Sequence, residues 1–445
     1  MEQIVFKKEI PVKYHADIAV VGAGPAGIAA AATAAGKGAK VLLLESMALP
    51  GGLSTAGRVP ILMPYSDGTR ILPGGFGEKV LERMTARRLE LSPENPVNAA
   101  YQIHPENLQQ IYEDLLTENG VTILYMCKLA AVNVESGTIR SAVFASPSGM
   151  FAVSAKIFID GTGDGSLAAW SGAPFEVASP EEIMPSTLCS LWVGVDWDAY
   201  RKGGAYSHNE DAMLEKLDAA IKAGELSEAD YHHTGITRIA RDAFGGNISH
   251  VFGIDASDER SITQGLIESR RKLKEYERFY RKHIAGFENA EIIDSGSLLG
   301  IRESRRIIGD YKLNFEDYKA CRSFEDGVGR YNFPADVHPP HPGWKKLQEH
   351  KKLFRSSALK RGESYGIPYR ILLPQKVENL LVCGRCVSCD RNVLASIRVI
   401  PGCWITGQAA GMGAALAVRG KTSPRGVDIK ELRSELLRIG AVLDL

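Results

Sequence analysis

Residues 17–45 carry the pattern that most constrains what this chain can become. Asp17-Ile18-Ala19-Val20-Val21 is a short apolar run rich in β-branched residues, which reads as a buried parallel strand. Gly22-Ala23-Gly24-Pro25-Ala26-Gly27 follows it. Next comes Ile28 to Ala35, where seven of eight residues are Ala or Ile, a helix former in sum. A second strand, Ala39 to Leu44, ends on Glu45, 18 residues past Gly27. Strand, glycine turn, helix, strand and acid together predict a dinucleotide-binding βαβ unit. Gly22 allows the tight turn. Gly24 lets the backbone approach a pyrophosphate at the helix N-terminus, where Pro25 and Ala26 form the first turn. Gly27 lets helix and strand close up. Glu45, with Ser46 beside it, is placed to hydrogen-bond a ribose hydroxyl.

Bulk properties narrow the class. A chain of 445 residues is too long for one simple core, so two domains are expected. The formal charge is zero and no Lys/Arg block forms a nucleic-acid footprint. Glu2, Lys7, Lys8 and Glu9 near the N-terminus are followed by no apolar run, so no signal peptide is expected. The long apolar segment Ile18–Ala35 is broken by three glycines and a proline, which excludes a membrane span there. Seven cysteines, an odd number, suit reduced thiols in the cytoplasm.

Three further segments bear on which dinucleotide is bound. Pro50-Gly51-Gly52-Leu53-Ser54-Thr55-Ala56-Gly57 directly follows the acid. A glycine pair with two hydroxyls here suits a flavin, whose ring a glycine backbone can approach closely. Ile157-Phe158-Ile159-Asp160-Gly161-Thr162-Gly163-Asp164-Gly165 is a strand running into a three-glycine turn. Asn379 to Cys386 is a buried strand ending in Gly384-Arg385. After it come Arg398, Pro401, Cys403 and a small-residue helix from Trp404 to Val418. Gly407, Gly411 and Gly413 would each weaken an isolated helix by roughly 1 kcal/mol, so close packing against sheet or cofactor is expected. The N-terminus of that helix would direct positive charge at the flavin N1 and C2 carbonyl. No second strand-GxGxxG-helix unit appears, so no dedicated NAD(P)H domain is expected. Electrons would then come from the substrate, a partner protein or an external reductant.

The chain resembles the bacterial FAD-dependent oxidoreductases related to the fumarate reductase and succinate dehydrogenase flavoproteins. The matching pieces are GAGPAGIAAA, GGLSTAG, FIDGTGDGSLAAWSGAPFE, LGIRESRRIIGDY, IPYRILLP and NLLVCGRCVSCDRNVLASIRVIPGCWITGQAAG, spread over residues 17 to about 417. The resemblance implies an α/β fold with FAD as cofactor: a discontinuous Rossmann-like FAD domain, residues 1–175 and 355–445, with an inserted α+β substrate domain, 176–354. It implies FAD contacts at the glycine turn, Glu45-Ser46, Gly52 to Thr55, Gly161 to Asp164, Gly384-Arg385, Arg398 and Cys403-Trp404. The sequence departs from relatives at Cys389-Asp390-Arg391, where a His-Glu pair is common.

A flavin enzyme must hold its substrate against the ring, polarise it and move a proton. Arginine suits the first two tasks. Arg302, with Arg305, lies in the Gly-x-Arg-Glu motif; Tyr369-Arg370 lies where the chain returns to the FAD domain; Arg398 sits at the mouth of the flavin-facing helix; His250 follows a glycine pair in the insert. The expectation is that Arg302 and Arg370 clamp a small polar substrate while Tyr369 or His250 moves the proton. Cys383, Cys386 and Cys389 form C-x-x-C-x-x-C, which offers a flavin–thiol oxidoreductase or an iron–sulfur ligand set as alternatives. A non-catalytic flavin sensor is a third. His338-Pro339-Pro340-His341-Pro342 reads as a stiff loop, and no metal is expected there. In the insert, helices are expected around Asp211 to Ala223 and from Ser261, as the cap, to about Ile284. Leu266, Leu273, Tyr276 and Tyr280 of the second form its core stripe.

Overall fold

The structure is a computed structural model and describes residues 4, 7–87, 101–203, 210–231 and 235–444. Among them, seven strands form the main sheet. Val12–Val21 lies at its centre, parallel to Val41–Leu44 on one side and to Gly149–Asp160 on the other. Thr122–Leu124 extends the first side in parallel. The 12-residue strand Gly149–Asp160 serves two neighbours. Its first half pairs antiparallel with Thr138–Ser146, and its last three residues pair parallel with Leu380–Val382. Lys128–Glu135 completes the antiparallel side.

Register decides where the motifs go. Val21 pairs with Leu44 and with Asp160, and Asp160 pairs with Val382. The carboxyl ends of four strands therefore lie level on one sheet edge. The loops that follow them begin at Gly22, Glu45, Gly161 and Cys383. In open α/β sheets, ligands bind at this edge.

The helix Pro25–Ala35 packs against the helix Ile400–Gly420, and both are almost wholly buried. Small residues permit the contact. A Cβ on Gly407 would lie 2.1 Å from the Ala26 carbonyl oxygen, and one on Gly411 would lie 2.2 Å from that of Ala30. The expected close packing is thus between two helices, while Gly413 makes room for the Tyr369 ring. The small-residue helix begins at Ile400, earlier than Trp404, because Pro401 sits in its first turn.

In the insert, Gly235–Arg238, Phe244–Asn247, Ser190–Val193 and Glu291–Ser295 form a four-stranded antiparallel sheet in that order. The helices Glu210–Lys222 and Glu259–His283 accompany it. The latter starts two residues before Ser261, because Asp258 caps it through the Ser261 amide. Leu273, Tyr276 and Tyr280 are buried as expected, in cores separate from that of the main sheet. Leu313, Tyr318, Val328, Tyr331 and Phe333 pack instead into the same core as the glycine-turn helix.

Candidate active site

The cofactor cradle is built from glycines that touch one another. A Cβ at Gly27 would lie 1.9 Å from the Gly22 oxygen; one at Gly22 would lie 2.6 Å from the Gly161 oxygen. Gly24 differs. The nearest atom to a Cβ there is the Gly161 oxygen at 3.7 Å, so its glycine is not demanded by the protein's own packing. It caps the helix Pro25–Ala35 without any side-chain cap, leaving first-turn amides for an anion. Gly51 donates its N–H to the Ala23 oxygen, and the positive-φ Gly52 lies against Gly24. Gly384, also at positive φ, sits against Ala26 and near Cys403. These features fit a dinucleotide whose pyrophosphate crosses Gly24.

Several expected contacts are used for scaffolding. Glu45 accepts from the Ala23 and Met47 amides at 2.6 and 2.8 Å, and from the Ser46 hydroxyl. Ser54 and Thr55 donate their hydroxyls to the Gly51 and Pro50 carbonyls. Thr162 donates to Asp160, and the buried Asp160 carboxylate also accepts from the Thr162 and Ala168 amides. Arg385 ties Asp164 of the Gly161–Gly165 turn to Ser304, at 2.7 Å each. The positive-φ Gly163 makes room for that guanidinium. Trp404 turns into the core, its indole N–H donating to Tyr112.

Beyond Cys403, whose thiol donates to the Arg398 carbonyl, lies a charged cluster. The Arg398 Nη2 donates to Asp336, while its buried Nε has no partner among the described residues. Asp336 Oδ2 lies 3.1 Å from His338 Nε2. The His338 and His250 rings meet edge to face at 5.3 Å. His250 is fixed by Asp230, which accepts from its backbone amide at 2.8 Å and faces its Nδ1 at 3.3 Å. Arg302 is buried and donates to the Pro185 carbonyl and the Thr187 hydroxyl, at 2.7 and 2.9 Å.

Electrostatics follow from this crowding. Burial first, then the neighbouring Arg398, pushes Arg302 down to about 10, so it stays charged at neutral pH. Burial also lowers Arg398. Burial alone would raise the Asp336 carboxyl, but His338 and Arg398 outweigh it and hold it well below the ordinary carboxylate range. Burial holds His250 and His338 below the usual histidine range, so both rings are neutral at pH 7.

The structure does not bring Tyr369 or Arg370 to this cluster. Tyr369 is buried against Gly413 and donates to the Pro424 carbonyl; burial raises its hydroxyl far above the usual range. Arg370 is half exposed, paired with Asp326 and stacked over Tyr311. Among the described residues Arg305 reaches only the Asp164 carbonyl and the Phe175 ring. Sequence reasoning missed Asp336 and Asp230, and read His338 only as part of a stiff loop. Asp336 stands two residues before His338, so an acid does accompany the histidine-proline loop. Asp230 carries no local signal.

All seven cysteines are free. Cys383, Cys386 and Cys389 are buried, and burial raises each thiol. Among the described residues they do not converge into a ligand set. Asp390 caps the helix Arg391–Ile397 and accepts from the Phe315 amide, which accounts for the acid at that departure.

The sequence model of the FAD-dependent oxidoreductases matches residues 17–436, and the chain belongs to that family. It is an enzyme and FAD is its cofactor. No curated protein matches it. Solved structures that resemble it include a geranylgeranyl bacteriochlorophyll reductase-like protein from Thermoplasma acidophilum, at 14% identity and a TM-score of 0.48, covering 96% of this chain and 84% of that one. Another is the flavin-dependent brominase Bmp2, at 14% identity and 0.47, covering 95% and 83%. A third is p-nitrophenol 4-monooxygenase from Pseudomonas putida, at 11% identity and 0.42, covering 95% and 84%. The family match covers the FAD-dependent oxidoreductases as a whole and does not reach the narrower grouping with fumarate reductase and succinate dehydrogenase flavoproteins. Among the described residues no helix is long and apolar enough to cross a membrane.

Proposed function

We propose that the enzyme oxidises or reduces a small organic acid, hydride passing between its carbon and flavin N5. One observation carries this reading. Arg302 is buried, and among the described residues no carboxylate lies within ion-pair distance of it. A buried cation bonded only to neutral acceptors is costly unless an anion joins it. Arg398 offers a second guanidinium with a buried Nε still to be satisfied. Arg302 and Arg398 bind the substrate's oxygens, replacing the Arg302–Arg370 pair expected from sequence. His250, neutral and oriented by Asp230, moves the proton. The insert, 176–354, supplies Arg302, His250 and Asp336 and so covers the reacting face. Seven free thiols fit a cytoplasmic setting. Buried thiols of raised pKa speak against the flavin–thiol alternative, and enzyme-family membership sets aside a non-catalytic sensor.

The test is anaerobic. FAD-loaded wild type and Arg302→Gln are mixed with a panel of small carboxylic acids and their neutral esters while flavin absorbance is followed. Bleaching by acids in the wild type alone, with FAD retained in the variant, supports the proposal. Equal bleaching in both proteins, or bleaching only by neutral compounds, contradicts it.

A further inference from the structure

Three side chains of the insert are arranged as a metal ligand set, of which the reading above uses only Asp336, as the partner of Arg398. Asp336, His338 and His350 place their ligating atoms within 4.8 Å of one another. Asp336 Oδ2 is 3.1 Å from His338 Nε2, and Asp336 Oδ1 is 3.6 Å from His350 Nε2. Two ligands bound to zinc at about 2.0–2.1 Å and a tetrahedral angle stand about 3.3 Å apart. The two separations bracket that value.

A second observation concerns His350 itself, on the helix Trp344–Ser356. Its Nδ1 lies 3.0 Å from the Val337 carbonyl, which can only accept, so Nδ1 carries the hydrogen. In the tautomer with its hydrogen on Nδ1, the ring turns the Nε2 lone pair toward Asp336. A histidine whose Nδ1–H is held by a backbone carbonyl, with Nε2 turned to a carboxylate and a second imidazole, has the usual orientation of a metal-ligating histidine. The Val337 carbonyl lies between Asp336 and His338 in the chain, so one short segment supplies two ligands and the group that aims the third. Arg398 bonds the same carboxylate through Oδ2 and steadies it from outside.

We propose that Asp336, His338 and His350 bind one divalent first-row metal ion, zinc foremost, through one carboxylate and two imidazoles. His341 takes no part. The guanidiniums of Arg398 and Arg302 oppose a dication, so occupancy is to be measured at equilibrium.

FAD-loaded protein is dialysed against a zinc buffer, and zinc per chain is measured by elemental analysis. About one zinc per chain is expected in the wild type, with affinity at least tenfold lower in H350Q and in H338Q. FAD content and melting temperature report whether each variant is folded; should H338Q lose FAD, H350Q decides alone. Absence of bound zinc in the wild type overturns the proposal. So does unchanged zinc affinity in folded H350Q.

Discussion

The cradle at the sheet edge and the charged cluster in the insert are held together by opposite means. The cradle is made of absent side chains: Gly22, Gly27 and Gly161 lie so close that a single Cβ at any of them meets backbone within 3 Å. The cluster is made of long polar side chains, Arg302, Arg398, Asp336, His338 and His250, gathered from positions up to 148 residues apart, His250 to Arg398. Backbone packing tolerates no substitution, whereas a side-chain cluster keeps its fold when one member changes and loses chemistry instead. The same contrast predicts which variants damage stability and which damage function.

The largest effect belongs to Gly27→Ala. The added methyl would sit 1.9 Å from the Gly22 oxygen, which neither helix nor turn can yield. A loss of about 3 kcal/mol or more is expected, at the upper end of overpacking costs, read as the shift in a denaturant midpoint. A variant as stable as the wild type would break the comparison from the cradle side.

The second effect is on rate. Arg398→Ala should lower acid-dependent flavin reduction by about 100-fold, the loss of roughly 3 kcal/mol of charge-assisted binding. Arg370→Ala removes only a half-exposed pair with Asp326 and should change that rate less than threefold, with about 0–1 kcal/mol of stability lost. Single-turnover kinetics on both variants check this. Similar losses in the two would return Arg370 to the site.

The smallest effect concerns the thiols. Cys321 is the only cysteine that is not buried. A thiol reagent at pH 8 should modify about one cysteine per chain in the folded protein and leave flavin reduction intact, all seven reacting after unfolding. Rapid reaction of several thiols in the native enzyme would revive the flavin–thiol alternative.

The two regions also differ in how far the sequence revealed them. Gly22 to Gly27, the Gly161 turn and Gly384 were legible because a backbone that must bend or touch a neighbour admits few residue types, and those are written locally. The small-residue helix was legible for the same reason, although its partner, the helix Pro25–Ala35, was not. Arg302 and His250 were legible by residue type. Arg398 was legible as a third candidate arginine, but nothing local ranks it, facing Asp336, above Arg370, which faces solvent and Asp326. Tyr369 shows the limit. Its neighbourhood in sequence matches a family motif, but its hydroxyl is engaged with Pro424 in the core. Ser54, Thr55 and Glu45 show another: polar residues beside a ligand loop also brace that loop.

One variant separates holding the fold from holding the cofactor. Gly24 has negative φ and room for a methyl, so Gly24→Ala strains no backbone. The account puts the FAD pyrophosphate against this residue. FAD affinity of Gly24→Ala, measured by titration alongside its melting temperature, should fall at least tenfold while the melting temperature of the FAD-free protein stays within about 1 °C of wild type, roughly the shift that 1 kcal/mol gives in a chain of this length. Unchanged FAD affinity in that variant would contradict the placement of the cofactor on which the site rests.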